Sequence, residues 1–344
     1  MPSLKEIKGR INSISSTLAI TSAMKMVAAA KLQKAQMAIQ NMLPYERRLH
    51  SMLIDLMGAM NMSAPASEEG SARLVSLSNQ PDHTESEGAY SLMAQREVRK
   101  VAIVAFASNS SLCGAFNSNV IREATAVINE YRASGLGDAD ITVYSVGRKM
   151  AEAMKKLGFP SPADFTKMSD SPSYDAASAL AQELLDGFVS GRFDKVELVY
   201  NHYKSTSSQP TIRQTYLPLS LADATADLQA GKIADSASES DTNRGAEPVG
   251  APVVRQGSPT TEDLIVEPSK AELIATLLPT VVRLRVFTTL WDSTAAEQAA
   301  RTVAMQLATD NGNDLLQELT LEYNKGRQQK ITSEILDLVG GSMQ

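Results

Sequence analysis

The chain has 344 residues, 43% of them hydrophobic and 21% charged, with a net charge of −6. That is the composition of a soluble globular protein about two domains long, and it argues against nucleic acid as the main partner, because phosphate binding needs a concentrated basic surface. Aromatics are scarce at 5% while Met is plentiful at 15 residues, which leans the chain toward helix.

The N-terminal region reads as one long helix. From Leu4 the positions Leu4, Ile7, Ile11, Ile14, Leu18, Thr21, Lys25, Ala28, Leu32, Ala35, Ile39 and Met42 alternate spacings of three and four, the repeat of a left-handed coiled coil, and all but Thr21 and Lys25 are apolar or Ala. Lys5, Lys8, Arg10, Lys31 and Lys34 fall off the stripe. The pattern resumes after Pro44 at Leu49, Leu53 and Leu56, and Pro44 is expected to remove a backbone hydrogen bond and bend the helix. Leu4 to Leu56 would span about 80 Å. A lysine at a seam position costs stability, so Lys25 points to a stretch that faces a polar partner. The start lacks the basic, apolar and cleavage regions of a secretory signal, and patterned helix begins too early for a transit peptide.

Residues 61–97 are rich in Ser, Glu, Gly and Pro and read as an exposed insertion. An α/β domain follows over 98–221. Val98–Ala107 reads as an apolar strand, a helix begins near Asn117, and Ile141–Gly147 is a second strand. Helices are expected at Arg148–Leu157 and Tyr174–Val189. Lys195–Tyr203 alternates like a strand, with Pro210–Leu219 as its partner. Strands alternating with helices imply a mainly parallel sheet. Residues 222–260 form a second polar insertion. The segment 261–344 returns as another long helix, with apolar residues at Leu273, Leu277, Val281, Leu284, Phe287 and Trp291, then at Met305, Leu316, Leu319, Tyr323, Ile331, Ile335 and Leu338. Its register drifts rather than holding strict heptads. Helices this long must pair with each other or lie within a partner. No stretch reaches about 18 uninterrupted apolar residues, so no membrane-spanning helix is expected.

Catalytic signals are weak. The phosphate loop G-x-x-x-x-G-K-[ST], the dinucleotide fingerprint G-x-G-x-x-G and the nucleophile elbow G-x-S-x-G are all missing. Ser110, Ser111 and Cys113 have no histidine nearby in sequence, and His50, His83 and His202 lack partners at ligand spacing. The single cysteine allows no intrachain disulfide, fits a reducing compartment and reads as a small buried apolar residue. No catalytic residue, cofactor or metal site is expected.

Three segments carry a family resemblance. Leu4–Gln36, the loop Ser110–Ile121 and Ala295–Gly341 resemble the N-terminal helix, the loop after the first strand and the C-terminal helix of ATP synthase gamma subunits. Ile331, Thr332, Glu334, Asp337 and Gly341 fall at the spacing of that family's C-terminal signature. Departures are Asn109 and Ser110 where the family usually has a charged pair, Ser342 after the signature where it has Ala, and longer insertions. A free-standing coiled-coil scaffold would not reproduce these motifs, and an α/β enzyme with helical extensions would need a site that the motifs do not supply.

The resemblance implies a fold of two terminal helices in a long antiparallel coiled coil, with a small Rossmann-like α/β domain between them. It implies a non-catalytic rotor shaft threading a hexamer of alpha and beta subunits. The α/β domain would rest with the epsilon subunit on the ring of c subunits, peripheral to the cytoplasmic face of a bacterial inner membrane, where ion flow drives rotation. The coupling contacts it implies are Met24 and Lys25 on the first helix and Arg301, Gln328, Thr332 and Glu334 on the second. Arg301→Ala is expected to weaken coupled turnover while leaving the fold intact.

Overall fold

The computed structural model describes residues 3–59, 92–219 and 270–341. Most of the 61–97 insertion and all of the 222–260 insertion lie outside these residues. In chain order the described elements are α1 (Leu4–Ala59), β1 (Val101–Phe106), α2 (Phe116–Ala133), β2 (Ile141–Val146), α3 (Arg148–Lys156), α4 (Thr166–Asp170), α5 (Tyr174–Val189), β3 (Lys195–Asn201), β4 (Thr211–Leu217) and α6 (Lys270–Gly341).

The two terminal helices hold 56 and 72 residues, roughly 85 and 110 Å of rod at 1.5 Å per residue. Ser3 Oγ caps α1 by accepting the Glu6 N–H, and Glu6 adds negative charge to the first turn. Every stripe position from Leu4 to Met42 is buried or half-buried. The helix runs through Pro44 without interruption, as α6 runs through Pro279.

The helices pair antiparallel. A Cβ built on Gly326 would stand 3.2 Å from Leu4, one on Gly312 would stand 2.6 Å from Leu18, and Thr21 Oγ1 lies 3.1 Å from Thr309 Oγ1. In each of these pairs the two residue numbers add to 330, so the seam keeps one unslipped register. The expectation of a drifting register in the last helix holds over Leu273–Trp291, where α6 packs on the head, and is corrected for the upper rod. Met305, Thr309, Gly312, Leu316, Leu319, Tyr323 and Gly326 alternate steps of four and three, and all are turned inward. The heptads were hidden because three of the seven seam residues are Gly or Thr, which let the backbones approach but carry little hydrophobic signal. Ile331, Ile335 and Leu338 are exposed, Leu338 to 75%. Leu4, the first residue of α1, already faces Gly326, so among the described residues α1 does not extend along α6 beyond that point, and Ile331, Ile335 and Leu338 stand on an exposed tip.

Between the helices stands a four-stranded sheet of order β2-β1-β3-β4. β1 is parallel to both β2 and β3, and β4 pairs antiparallel with β3. The central strand β1 is buried along its whole length, as befits a parallel strand covered on both faces. One face packs Val101, Ile103, Ala105, Ile141 and Val143 against α2 and α3 through Val120, Val127, Met150 and Met154. The other packs Ala102, Val104, Phe106, Tyr144 and Leu198 against α5 through Leu180 and Leu184. It also packs against the lower rod through Leu49, Leu53, Ile274, Leu278 and Val282. The rod is thus itself the third layer of the head. By composition alone α6 contains a window apolar enough to cross a membrane, but Ile274, Leu278, Val282, Val286 and Leu290 lie in this core.

Two local expectations need correction. Leu92, assigned to the exposed insertion, is buried in the core, and its carbonyl accepts the Leu219 N–H at 2.9 Å. β3 is not a half-exposed alternating strand, since Val196 to Asn201 are all buried because both faces are covered. That encloses Glu197, which accepts bonds from Tyr131 Oη (2.6 Å), Arg213 Nε (2.7 Å) and Lys195 Nζ (2.7 Å). Burial pushes this carboxyl up, but those donors outweigh burial and hold it below the usual glutamate range. The five-residue α4 had no periodic signal to announce it.

Candidate functional site

The six residues singled out in the sequence fall at two levels of the rod. Met24, Lys25 and Arg301 lie at the level of the head's upper edge. Gln328, Thr332 and Glu334 lie on the exposed tip, roughly 40–50 Å further along α6. The structure does not bring the two groups together. On the tip all three are exposed: Thr332 Oγ1 donates to the Gln328 carbonyl at 2.9 Å, and Glu334 lies 3.7 Å from Lys330.

At the lower level, a cleft of about 700 Å³ opens between α1, α6, the loop after β1 and the end of α4. Met24, Lys31, Ser110, Asp170, Glu297 and Arg301 are among its walls. Met24 is 41% exposed, and Ile20 and Val27 on the same face are also exposed, so an apolar flank of α1 is left uncovered. Lys25 is half-buried at the seam.

Arg301 is not free to meet a partner with its whole guanidinium. Its Nη1 donates to the Ser111 carbonyl (2.7 Å), and its Nη2 donates to Ser110 Oγ (2.9 Å) and Glu297 Oε1 (2.6 Å). Side-chain exposures of 14% for Arg301 and 9% for Glu297 make this a largely buried pair. Burial pushes the Glu297 carboxyl up, and Arg301 pulls it back only in part. The planar fork of Arg lets one side chain hold both the helix and the loop. The loop it holds includes Leu112, which has φ 68 and stands 58% exposed, an uncommon backbone state for a bulky residue. Sequence reading missed Glu297 and the loop as partners of Arg301. Glu297 was legible as an i,i+4 neighbour, but Ser110 and Ser111 lie some 190 positions away.

The polar groups weighed as nucleophiles are engaged in local structure. Ser110 Oγ accepts from Arg301, the Ser111 carbonyl does the same, and Cys113 is buried as a small apolar residue with Asn117 Nδ2 donating to its Sγ at 3.1 Å. The turn after β2 is occupied by backbone. Gly147 has φ 93, and a Cβ there would stand 2.0 Å from the Ala107 carbonyl oxygen. Among the described residues no group of three His, Cys, Asp or Glu is placed to hold a metal.

Comparison with known proteins follows the same lines. The family model described as ATP synthase matches residues 3–343. The ATP synthase gamma chain of Phocaeicola vulgatus is 47% identical over 343 residues, covering 100% of both chains. That of Bacteroides thetaiotaomicron is 47% identical over 345 residues, again covering 100% of both. Among solved structures, a chain of the Euglena gracilis mitochondrial ATP synthase OSCP/F1/c-ring assembly superposes with a TM-score of 0.54 at 19% identity, covering 99% of this chain and 93% of that one. At that identity the likeness speaks for the fold. Matched by the family model along nearly its whole length, and close to half identical to gamma chains from end to end, the chain belongs to the ATP synthase gamma-chain family.

Proposed function

We propose that the chain is the turning shaft of a membrane-bound rotary ATP synthase and that its coupling surface is divided between the two levels described above. The rod stands inside the hexamer of alpha and beta subunits. The head rests with epsilon on the c ring, at the cytoplasmic face of a bacterial inner membrane, where ion flow drives it. The observation that carries this reading is the rod itself, with Ile20, Met24 and Val27 exposed on one flank and Ile331, Ile335, Leu336 and Leu338 exposed on its tip. Contiguous apolar surface of this kind is costly in water and marks a surface that a partner covers.

The mechanism is mechanical. One rod with a single apolar flank cannot touch a threefold ring equally, so it stabilises a different conformation at each catalytic site. Turning carries that bias from site to site, and a state is favoured only by as much as the rod's contacts differ between states. Met24 and Lys25 act at the lower level and Gln328, Thr332 and Glu334 at the tip. Arg301 acts through the loop it holds as well as by its own exposed edge. The domain limits follow: 1–60 and 261–344 make the rod, 98–221 the head, and 61–97 and 222–260 are insertions.

The test is purification of the native chain under mild conditions. Alpha, beta and epsilon subunits should accompany it, and the assembled complex should couple ATP hydrolysis to ion movement. A chain that purifies alone, with no ATPase partner, would refute the reading.

A further inference from the structure

Just below the level of Arg301, the turn after β3 reaches across both helices. Tyr203 Oη accepts from Gln36 Nε2 of α1 at 2.7 Å, and the Tyr203 N–H donates to Asp292 Oδ1 of α6 at 2.9 Å. His202 Nδ1 lies 2.6 Å from Asp292 Oδ2. Around these contacts Leu32, Ala35, Ala295 and Ala299 form a small apolar knot with Tyr203 and Trp291. One carboxylate, Asp292, thus receives both a backbone N–H and an imidazole from the head, while Tyr203 reaches the opposite helix. The lower rod is fixed by the head's apolar core, and this turn is the first of two polar ties above it, the second being Arg301 with Ser110 and Ser111.

We infer that His202, Tyr203 and Asp292 form a protonation-dependent clamp that sets how stiffly the shaft is mounted on the head. This rests on the reading of the chain as a torque-bearing shaft. None of the three touches a reacting group, so they are positioning residues. The charged groups acting on His202 are Asp292 on α6, which favours its protonated form, and Lys204 in its own turn, which opposes it. Gln36, which reaches the turn from α1, is uncharged. The Asp292 hydrogen bond raises the His202 pKa above its ordinary value, against partial burial. A raised cation pKa means that the ionic clamp is complete below the ordinary histidine range and is lost as pH rises through the folded-state value. Neutral His202 can still donate one hydrogen bond, so the clamp loosens rather than opens.

The test uses the assembled complex, anchored through its hexamer with a probe on the head, and reads the angular variance of the stalled shaft against pH. Between about pH 6 and about pH 9 the unsubstituted complex should show a variance rising about 1.5-fold, the scale on which a partly exposed ion pair changes a local equilibrium. His202→Lys keeps the charge throughout and should hold the low value. His202→Gln keeps a donor without charge and should give the high value at both ends. His202 is 44% exposed, so neither change disturbs a packed core. The inference is overturned if either variant follows the pH profile of the unsubstituted complex, or if that profile is flat. An unsubstituted complex that fails to turn under ATP would instead remove the shaft reading itself.

Discussion

Replacing Arg301 with Ala takes away the cation that faces Glu297 and the two donors that hold Ser110 and Ser111. With its side chain 9% exposed, Glu297 would keep its charge in a site that already disfavours it. Breaking a buried pair from one side costs on the order of 3 kcal/mol. The cost should depend on pH in a definite direction. In the variant the folded-state pKa of Glu297 moves further above its unfolded value, so the native state binds the extra proton. The penalty is then absent below the ordinary glutamate range, grows as pH rises, and levels off above the raised pKa. Urea unfolding at constant m, run at about pH 5 and about pH 8, should therefore show a larger deficit at the higher pH. Adding Glu297→Gln to Arg301→Ala removes the stranded charge. The double variant should recover most of the loss, leaving about 1 kcal/mol for the missing hydrogen bonds to the loop. Equal deficits at both pH values, or a double variant no more stable than Arg301→Ala, would refute this account of the pair. The same reasoning revises the expectation that Arg301→Ala spares the fold. Lost turnover in that variant would mix a missing contact with a loosened loop, and the double variant separates the two.

Other outcomes follow from close contacts and buried charge. Gly312→Val places side-chain atoms where Leu18 now lies. It should lower rod stability by about 1–3 kcal/mol, with partial recovery on adding Leu18→Ala; thermal unfolding of the four-member cycle checks this. Gly147→Ala meets the Ala107 carbonyl at a backbone φ of 93 and should cost more than about 3 kcal/mol, read as loss of soluble folded chain by circular dichroism. Glu197→Gln removes the carboxylate shared by Arg213 and Lys195, leaving Arg213 its ion pair with Glu130, and should lower stability near neutral pH by about 2 kcal/mol. Because the native carboxyl is held below its ordinary range, its contribution is lost as pH falls through that depressed value, so the variant should show a shallower acid limb in urea titrations between about pH 3 and about pH 7.

The sequence was most legible where periodicity and burial agree. The first helix is one such place: all twelve stripe positions, including Thr21 and Lys25, turn inward. The strands of the head are another, since a continuous apolar run such as Val101–Phe106 has few other uses. Legibility failed where a seam is made by closeness instead of hydrophobicity. Thr309, Gly312 and Gly326 belong to the heptad, yet no apolar count finds them. It failed again where a polar residue is buried by distant partners. Glu197 has the look of an outward strand position until Tyr131, Lys195 and Arg213 are placed around it. The candidate contacts were legible as positions on a helix, but not as states. Met24 is open on the flank, while Arg301 is largely committed to its own chain.

The constant pairing of Leu4 with Gly326, Leu18 with Gly312 and Thr21 with Thr309 also limits how such a rod can change size. Inserting seven residues into each helix adds about 10 Å of height and turns the upper rod by only about 20° relative to the head. Inserting four turns it by about 40° in the other sense and breaks the alternation of threes and fours. A shaft built this way can be lengthened or shortened in matched heptads while keeping its facing, so any drift in its dimensions should come in sevens, on both strands together.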